Sequence, residues 1–260
     1  MMRRNNFPFS AVLGLNHAKT AILVVLVNPR AGGLLISGPQ GIGKSTLMRS
    51  TQELIERPWR DIPVSVTEDR LFGTIDTEKA IYSGQKKLYP GIINEADQGV
   101  LYLDDANLLR EDLLDSILNI AEVGAYQLER DGLSLRCDTS FTVIAAINPE
   151  SGMLSGACLD QFGLFVNVDN IHDENTRVEI LKRTISFEKD CASFCKLWKL
   201  ENEKIKKAIH SAMSLLPKVV VSSAMIQLAS VYALKAHVSG HRADIYSVSY
   251  THLRAHETDS

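Results

Sequence analysis

Cysteine is scarce in this chain, and its spacing follows no pattern. Cys137, Cys158, Cys191 and Cys195 are the four among 260 residues. So few, so irregularly placed, they argue against a disulfide framework and fit a reducing, cytoplasmic setting. Cys191 and Cys195 stand four apart on an expected helix, with no His or Cys pair placed to complete a zinc site, and both read as packing residues. Charge of one sign is also lacking: 28 Lys and Arg against 31 Asp and Glu leave a net charge of −3. That balance gives no bulk electrostatic attraction to nucleic acid. Long apolar runs are missing too. Ala21–Val27 is far too short to span a bilayer, and the N-terminus has no signal-peptide pattern, so no membrane association is expected. No internal repeat or low-complexity segment stands out. The remaining composition, 45% hydrophobic and 23% charged, is that of a globular protein with one sizeable domain and room for a small second one.

The densest information lies in Gly38-Pro39-Gln40-Gly41-Ile42-Gly43-Lys44-Ser45-Thr46, which fits G-x-x-x-x-G-K-[ST], the phosphate-binding loop. Its context is right. Leu34-Leu35-Ile36-Ser37 suits a short buried strand, and Lys44 to Glu56 suits a helix ending before Pro58. Glycines let the backbone turn tightly so that successive N–H groups face phosphate oxygens, and the helix N-terminus adds partial positive charge. Lys44 then reaches the β- and γ-phosphates, and the Ser45 hydroxyl ligates Mg²⁺. The expected ligands are ATP and Mg²⁺.

Strands alternate with helices through the first two thirds of the chain. A helix is expected over His17–Val27, a short strand at Val64–Val66, and a short helix from Asp76 as N-cap to Tyr82, closed by Gly84. Pro90-Gly91 marks a turn. Gly99–Leu103 is a second apolar strand, and Leu113, Leu114, Ile117, Leu118 and Ala121 fall at helical spacing before Gly124. Asp131-Gly132 between Ala125–Arg130 and Leu133–Cys137 predicts a β-hairpin. Phe141–Ile147 and Leu164–Val168 complete the strands, and the alternation predicts a parallel α/β sheet. Beyond Asp173, read as an N-cap, the pattern is helical over 174–197, 201–215 and 223–238. The expected organisation is an α/β nucleotide-binding core over 1–172, a small helical lid over 173–246, and a stretch at 247–260 that continues no pattern and reads as a non-native tail.

Val100-Leu101-Tyr102-Leu103-Asp104-Asp105 is an apolar strand ending in two carboxylates. Behind a phosphate loop, the first carboxylate, Asp104, holds Mg²⁺ through water, and the second, Asp105, polarises the attacking water. Asp105 sits where Glu is usual and reaches one methylene less far, which slows hydrolysis. Asn148, ending the third strand, is placed to orient the same water; Asn148-Pro149 also reads as a plain turn.

With these elements in order, the chain resembles the AAA+ ATPases, and more narrowly the ATPase subunit I of magnesium chelatase, with the related ATPase modules of its D-type partner and of cobalt chelatases. The resemblance runs from Phe7 to Ile245. It is carried by Phe7–Gly14, the phosphate loop, Glu68–Asp76 with Glu78-Lys79-Ala80, Pro90–Ile93, Gly99–Leu109, the hairpin Glu129–Ser134, Asn148-Pro149-Glu150, Leu159–Leu164 and Gly240–Asp244. The 68–80 segment and the hairpin are far more specific to the chelatases than the loop is. The resemblance implies an AAA+ P-loop fold: a parallel sheet flanked by helices, a β-hairpin insertion and a helical C-terminal lid. It implies Lys44 and Ser45 on phosphate and Mg²⁺, Asp104 on Mg²⁺, Asn148 as sensor 1 and Arg242 as sensor 2. Two residues depart from the family: Asp105 where it carries Glu, and Gln161 where its Leu-Asp-Arg-Phe-Gly stretch carries an arginine finger. Arg130, Arg136 and Arg177 are possible substitutes, and the sequence selects none.

The implied role is the motor subunit of a metal chelatase. Such a chain forms a ring, by expectation a hexamer, and works with a D-type subunit and a large porphyrin-binding subunit where Mg²⁺ or Co²⁺ enters the tetrapyrrole. Two other readings stay open: a weakly hydrolysing or non-hydrolysing structural subunit of the same ring, and a MoxR-like protein-remodelling chaperone.

Overall fold

Three short strands, Leu34–Ser37, Val100–Leu103 and Thr142–Ile147, are buried along their whole length. The structure, a computed structural model, describes residues 6–75, 88–130, 133–220 and 222–235. They fall into two compact units, one built from the residues up to Ile55 together with those from Phe162 onward, the other from Glu56–Gln161. The parallel sheet core of the fold has five strands, two in the first unit and three in the second.

In the first unit, β1 (Leu34–Ser37) pairs in parallel with β9 (Leu164–Asn167), Leu34 opposite Leu164 and Ser37 opposite Asn167. Helix α1 (Asn16–Val27) packs on both strands and buries Ala18, Ala21, Ile22, Val25 and Leu26. The phosphate loop leads into α2 (Lys44–Thr51). Three further helices follow β9: α7 (Glu174–Lys189), α8 (Cys191–Leu215) and α9 (Ser223–Lys235). Asp173 caps α7 as expected, accepting from the Thr176 N–H at 2.7 Å. The next boundary differs from the predicted one. Asp190 leaves the helical region at φ −150° and accepts from the Ser193 N–H at 3.0 Å, so one helix ends at Lys189 and a 25-residue helix begins. A good N-cap outweighs the continuous apolar spacing on which the longer helix was predicted.

Helix α8 is held against the N-terminal lead-in by aromatic packing. Phe7 lies 5.1 Å from Phe187 and 5.3 Å from Phe194, centroid to centroid, and Phe194 lies 6.3 Å from Trp198. The Arg183 guanidinium stacks 4.6 Å from the Trp198 ring and donates to Ala11 O at 3.0 Å. Offset and edge-on rings together with a cation over an indole attract beyond their area burial.

In the second unit, β2 (Trp59–Ile62), β5 (Val100–Leu103) and β8 (Thr142–Ile147) lie parallel in that order, with Trp59 opposite Val100 and Val100 opposite Thr142. The strand expected at Val64–Val66 lies earlier, at Trp59–Ile62, and Val66 instead closes a turn onto Pro63 O at 3.0 Å. Pro58 and Pro63 bracket the strand because a residue without an N–H cannot extend the ladder. Between β2 and β5 come α3 (Glu68–Phe72), the antiparallel pair β3 (Gly73–Ile75) and β4 (Leu88–Pro90), and α4 (Ile92–Glu95). Helix α5 (Glu111–Val123) buries Leu113, Leu114, Ile117, Leu118 and Ile120, and ends at Gly124 with φ 77°. The hairpin is present, β6 (Ala125–Arg130) antiparallel to β7 (Leu133–Asp138), with α6 (Gly156–Leu159) near the unit's end. The Asp76 helix, the Asp131-Gly132 turn, Arg242 and the 247–260 tail lie outside the described residues. No single described helix is long and apolar enough to cross a membrane.

Phe194 is buried and touches three aromatic rings. Phe194→Ala is expected to lower the stability of the first unit by about 3–5 kcal/mol in denaturant unfolding. A loss under about 1 kcal/mol would mean that this cluster does not hold α8 in place.

Candidate nucleotide site

The phosphate loop is shaped by where a β-carbon is not tolerated. A β-carbon on Gly38 would stand 2.5 Å from Val168 O and 2.6 Å from the Val168 side chain, below any normal contact, so only glycine lets the chain leave β1 here. Gly41 and Gly43 take φ values of +84° and +94°, and Gly43 serves as the N-cap of α2. Nothing lies within 4 Å of the β-position of Gly41, so the loop crest is open. Gln40 and Thr46 are exposed, while Pro39, Ile42, Gly43 and Ser45 are partly buried.

Lys44 is 7% exposed. Its ammonium folds back over the loop and donates to Gly38 O at 2.6 Å and Pro39 O at 2.8 Å. Ser45 follows it in the first turn of α2. Backbone N–H groups at a helix start, an ammonium and a hydroxyl suit phosphate oxygens and a hard divalent cation. This donor set fits ATP with Mg²⁺.

The lead-in contributes a neighbour that the sequence did not single out. Leu15 adopts φ 54°, and its Cδ1 comes to 4.0 Å from the β-position of Gly43. Ile171 presses on Gly14, 2.8 Å from where its β-carbon would lie. A leucine in the left-handed region has no signal in sequence, since only Gly, Asn and Asp visit it readily.

The carboxylates belong to the second unit. Asp104 and Asp105 follow β5 and are partly buried. The Tyr102 hydroxyl donates to Asp104 Oδ1 at 2.9 Å, from a side chain only 1% exposed that packs 5.9 Å from Trp59. Asp105 takes φ 50°, ψ 50° as the turn Ala106–Leu108 begins, a conformation Asp adopts more easily than Glu. Asn148 directly follows β8 and is 8% exposed. Its Oδ1 accepts from the Glu150 N–H at 3.1 Å, and Nδ2 approaches Ser151 Oγ at 3.4 Å. The Asn-Pro turn is therefore real, and the same amide caps it. Asp104, Asp105 and Asn148 are brought together in one unit by the adjacent pairing of β5 with β8.

Among the arginine-finger substitutes, Arg136 is exposed on the hairpin and paired with Asp138 at 3.0 Å, and Arg177 is exposed on α7. Arg130 ends β6. Gln161 is partly buried just beyond α6, its N–H bonded to Cys158 O at 3.2 Å. All four cysteines are free thiols; Cys191 and Cys195 lie 4.0 Å apart, and burial beside Cys191 pushes the Cys195 thiol up to about 12.

A strand–glycine loop–helix start in one unit, and a strand ending in paired carboxylates in the other, define an AAA domain. Residues 33–161 match the AAA domain family of the dynein-related subfamily. The magnesium-chelatase 38 kDa subunit of Chlorobaculum tepidum is 32% identical to this chain, over 96% of it and 74% of that protein. The corresponding subunit of Rhodobacter capsulatus is 35% identical, over 82% and 70%, and the subunit ChlI of Synechocystis 31%, over 94% and 79%. A solved complex between subunits BchI and BchD of magnesium chelatase matches with a TM-score of 0.61 at 30% identity, over 97% of this chain and 96% of that one. The chain belongs to the magnesium-chelatase subunit I family.

The two glycines separate two kinds of damage. Gly38→Ala is expected to reduce ATP affinity at least tenfold and to lower the melting temperature, because its β-carbon meets backbone. Gly41→Ala meets nothing and strains only φ, costing about 1 kcal/mol. Titration of a fluorescent ATP analogue beside thermal unfolding separates the two; equal effects would refute this account of the loop.

Proposed function

We propose that this chain binds and hydrolyses ATP as the motor subunit of a metal chelatase, driving insertion of Mg²⁺ or Co²⁺ into a tetrapyrrole held by a separate porphyrin-binding subunit. The observation that carries the proposal is the Lys44 ammonium held over the carbonyls of Gly38 and Pro39 in a chain of this family. The loop grips phosphate through its backbone N–H groups, and Lys44 exchanges those carbonyls for β- and γ-phosphate oxygens. Ser45 and Asp104 would hold Mg²⁺, which when bound neutralises charge on the phosphates. Tyr102 orients Asp104, Asp105 draws the proton from the attacking water, and Asn148 orients that water. Arg242 from the helical lid would add a further contact to phosphate. A 1–172 core and a 173–246 lid remain the organisation we assign to this work.

The likeness to a BchI–BchD complex supports a D-type partner, and a homomeric ring, expected to be hexameric, supplies neighbours for each site. Four free thiols suit a reducing compartment such as the cytoplasm. Family membership favours the chelatase over the protein-remodelling reading. A second reading keeps specific support: Asp105 and Gln161 both fall on hydrolysis and neither on binding. A neutral Gln cannot supply the arginine finger's charge, worth about 10³–10⁵ in rate. On that reading the chain is a nucleotide-binding structural subunit of the same ring.

Steady-state ATP hydrolysis over a range of protein concentration distinguishes these readings, with nucleotide binding measured in parallel. The motor reading expects slow turnover that rises with concentration and vanishes in Lys44→Ala. Asp105→Glu is expected to raise turnover by restoring reach to the water. If the chain binds ATP without turnover and Gln161→Arg restores it, the structural-subunit reading replaces the motor.

A further inference from the structure

Asn107 has no part in the chemistry above, yet its amide joins the two loops that carry it. It sits in the turn Ala106–Leu108, two residues beyond Asp105. Its Nδ2 donates to Asn148 O at 3.1 Å and to Gly152 O at 3.0 Å. Those carbonyls are the two ends of the loop that follows β8, with the Pro149–Ser151 turn between them. The β5–β8 ladder aligns Leu103 with Ala145; past the strand ends, Asn107 carries the connection onward.

The chemistry of the contact is specific. Two carbonyl oxygens converging on one nitrogen require a group with two N–H donors, which a primary amide has. The amide cannot be reversed, since its oxygen would then face both carbonyls. In the present orientation Oδ1 is buried and accepts no hydrogen bond among the described residues. A buried acceptor without a partner is a cost to stability.

The loop also carries hydrogen bonds of its own. Asn148 caps the turn through Glu150 and Ser151, which fixes the loop's shape and not its place. On the other side, the Leu108 N–H bonds Asp105 O at 2.8 Å, so the turn that presents Asn107 is the one that presents Asp105. We propose that Asn107 is a positioning residue for ATP hydrolysis: it clamps the Asn148 loop to the Asp104-Asp105 loop. The inference rests on the hydrolytic reading above and adds a residue to it.

The test pairs kinetics with a readout independent of turnover. Asn107→Ala is expected to lower kcat about tenfold with KM for ATP held within about twofold. Asn107→Asp, the same size but without donors, should lose as much. On an Asn148→Ala background, Asn107→Ala should cause no further fall, because it acts through that residue. Hydrogen exchange in a peptide spanning 148–153 should quicken in Asn107→Ala while the melting temperature of the chain changes little. Unchanged exchange overturns the clamp whatever the kinetics; faster exchange with undiminished kcat, or full activity in Asn107→Asp, overturns the positioning role. A wild-type chain that binds ATP and never turns it over removes the hydrolytic reading and the positioning role together, and exchange alone then decides whether the clamp exists.

Discussion

A missing β-carbon governs the first unit. Val168 O stands 2.5 Å from the position a Gly38 β-carbon would take, so β1 can pair with β9 along its full length and still release the chain into the phosphate loop. The loop's two left-handed glycines then bring its carbonyls round to meet the Lys44 ammonium. Lys44 as a whole is 7% exposed, and a buried cation is tolerable only when its donors find partners. Two carbonyls of its own loop accept from it, which keeps the charge at the loop. The interaction is local to one loop, so the binding half of the proposed chemistry does not depend on the groups assigned to hydrolysis.

That separation gives the two departures from the family a physical sense. In the proposed role, ground-state grip on phosphate is assigned to backbone amides and Lys44, all on one loop and helix start. Acceleration depends on groups whose effect appears only as charge develops in the transition state. The proposal places Asp105 and Gln161 in the second set, and both lie in the other unit. With binding and acceleration assigned to different groups, the proposal lets affinity and turnover diverge within one fold.

What the sequence made legible follows from how local each cause is. The phosphate loop, the strand Leu34–Ser37 and the Asp173 cap were readable because glycine spacing, an apolar run and an Asp at a helix start act over a few residues. The hairpin strands were equally local. The misplaced strand at Val64–Val66 shows a competing rule winning: β-branched residues favour extended structure, but Pro63 ends the ladder before they can join it. The break at Asp190 was hidden because apolar spacing continues across it while one side chain redirects the backbone. Leu15 and Asn107 were invisible for another reason. A leucine at positive φ and an amide bridging 41 residues of sequence are set by tertiary surroundings, and no neighbour in the chain announces them.

The first unit's division along the chain has a consequence for synthesis. Leu34 pairs with Leu164, which leaves the ribosome 164 − 34 = 130 residues later. At about 5–20 residues per second, β1 waits about 7–26 seconds for its partner. During that time an apolar strand has no β9 beside it, while Glu56–Gln161 emerges as an uninterrupted segment that can fold in order. The unit that carries the phosphate loop is thus completed last, after the whole of Glu56–Gln161 has emerged.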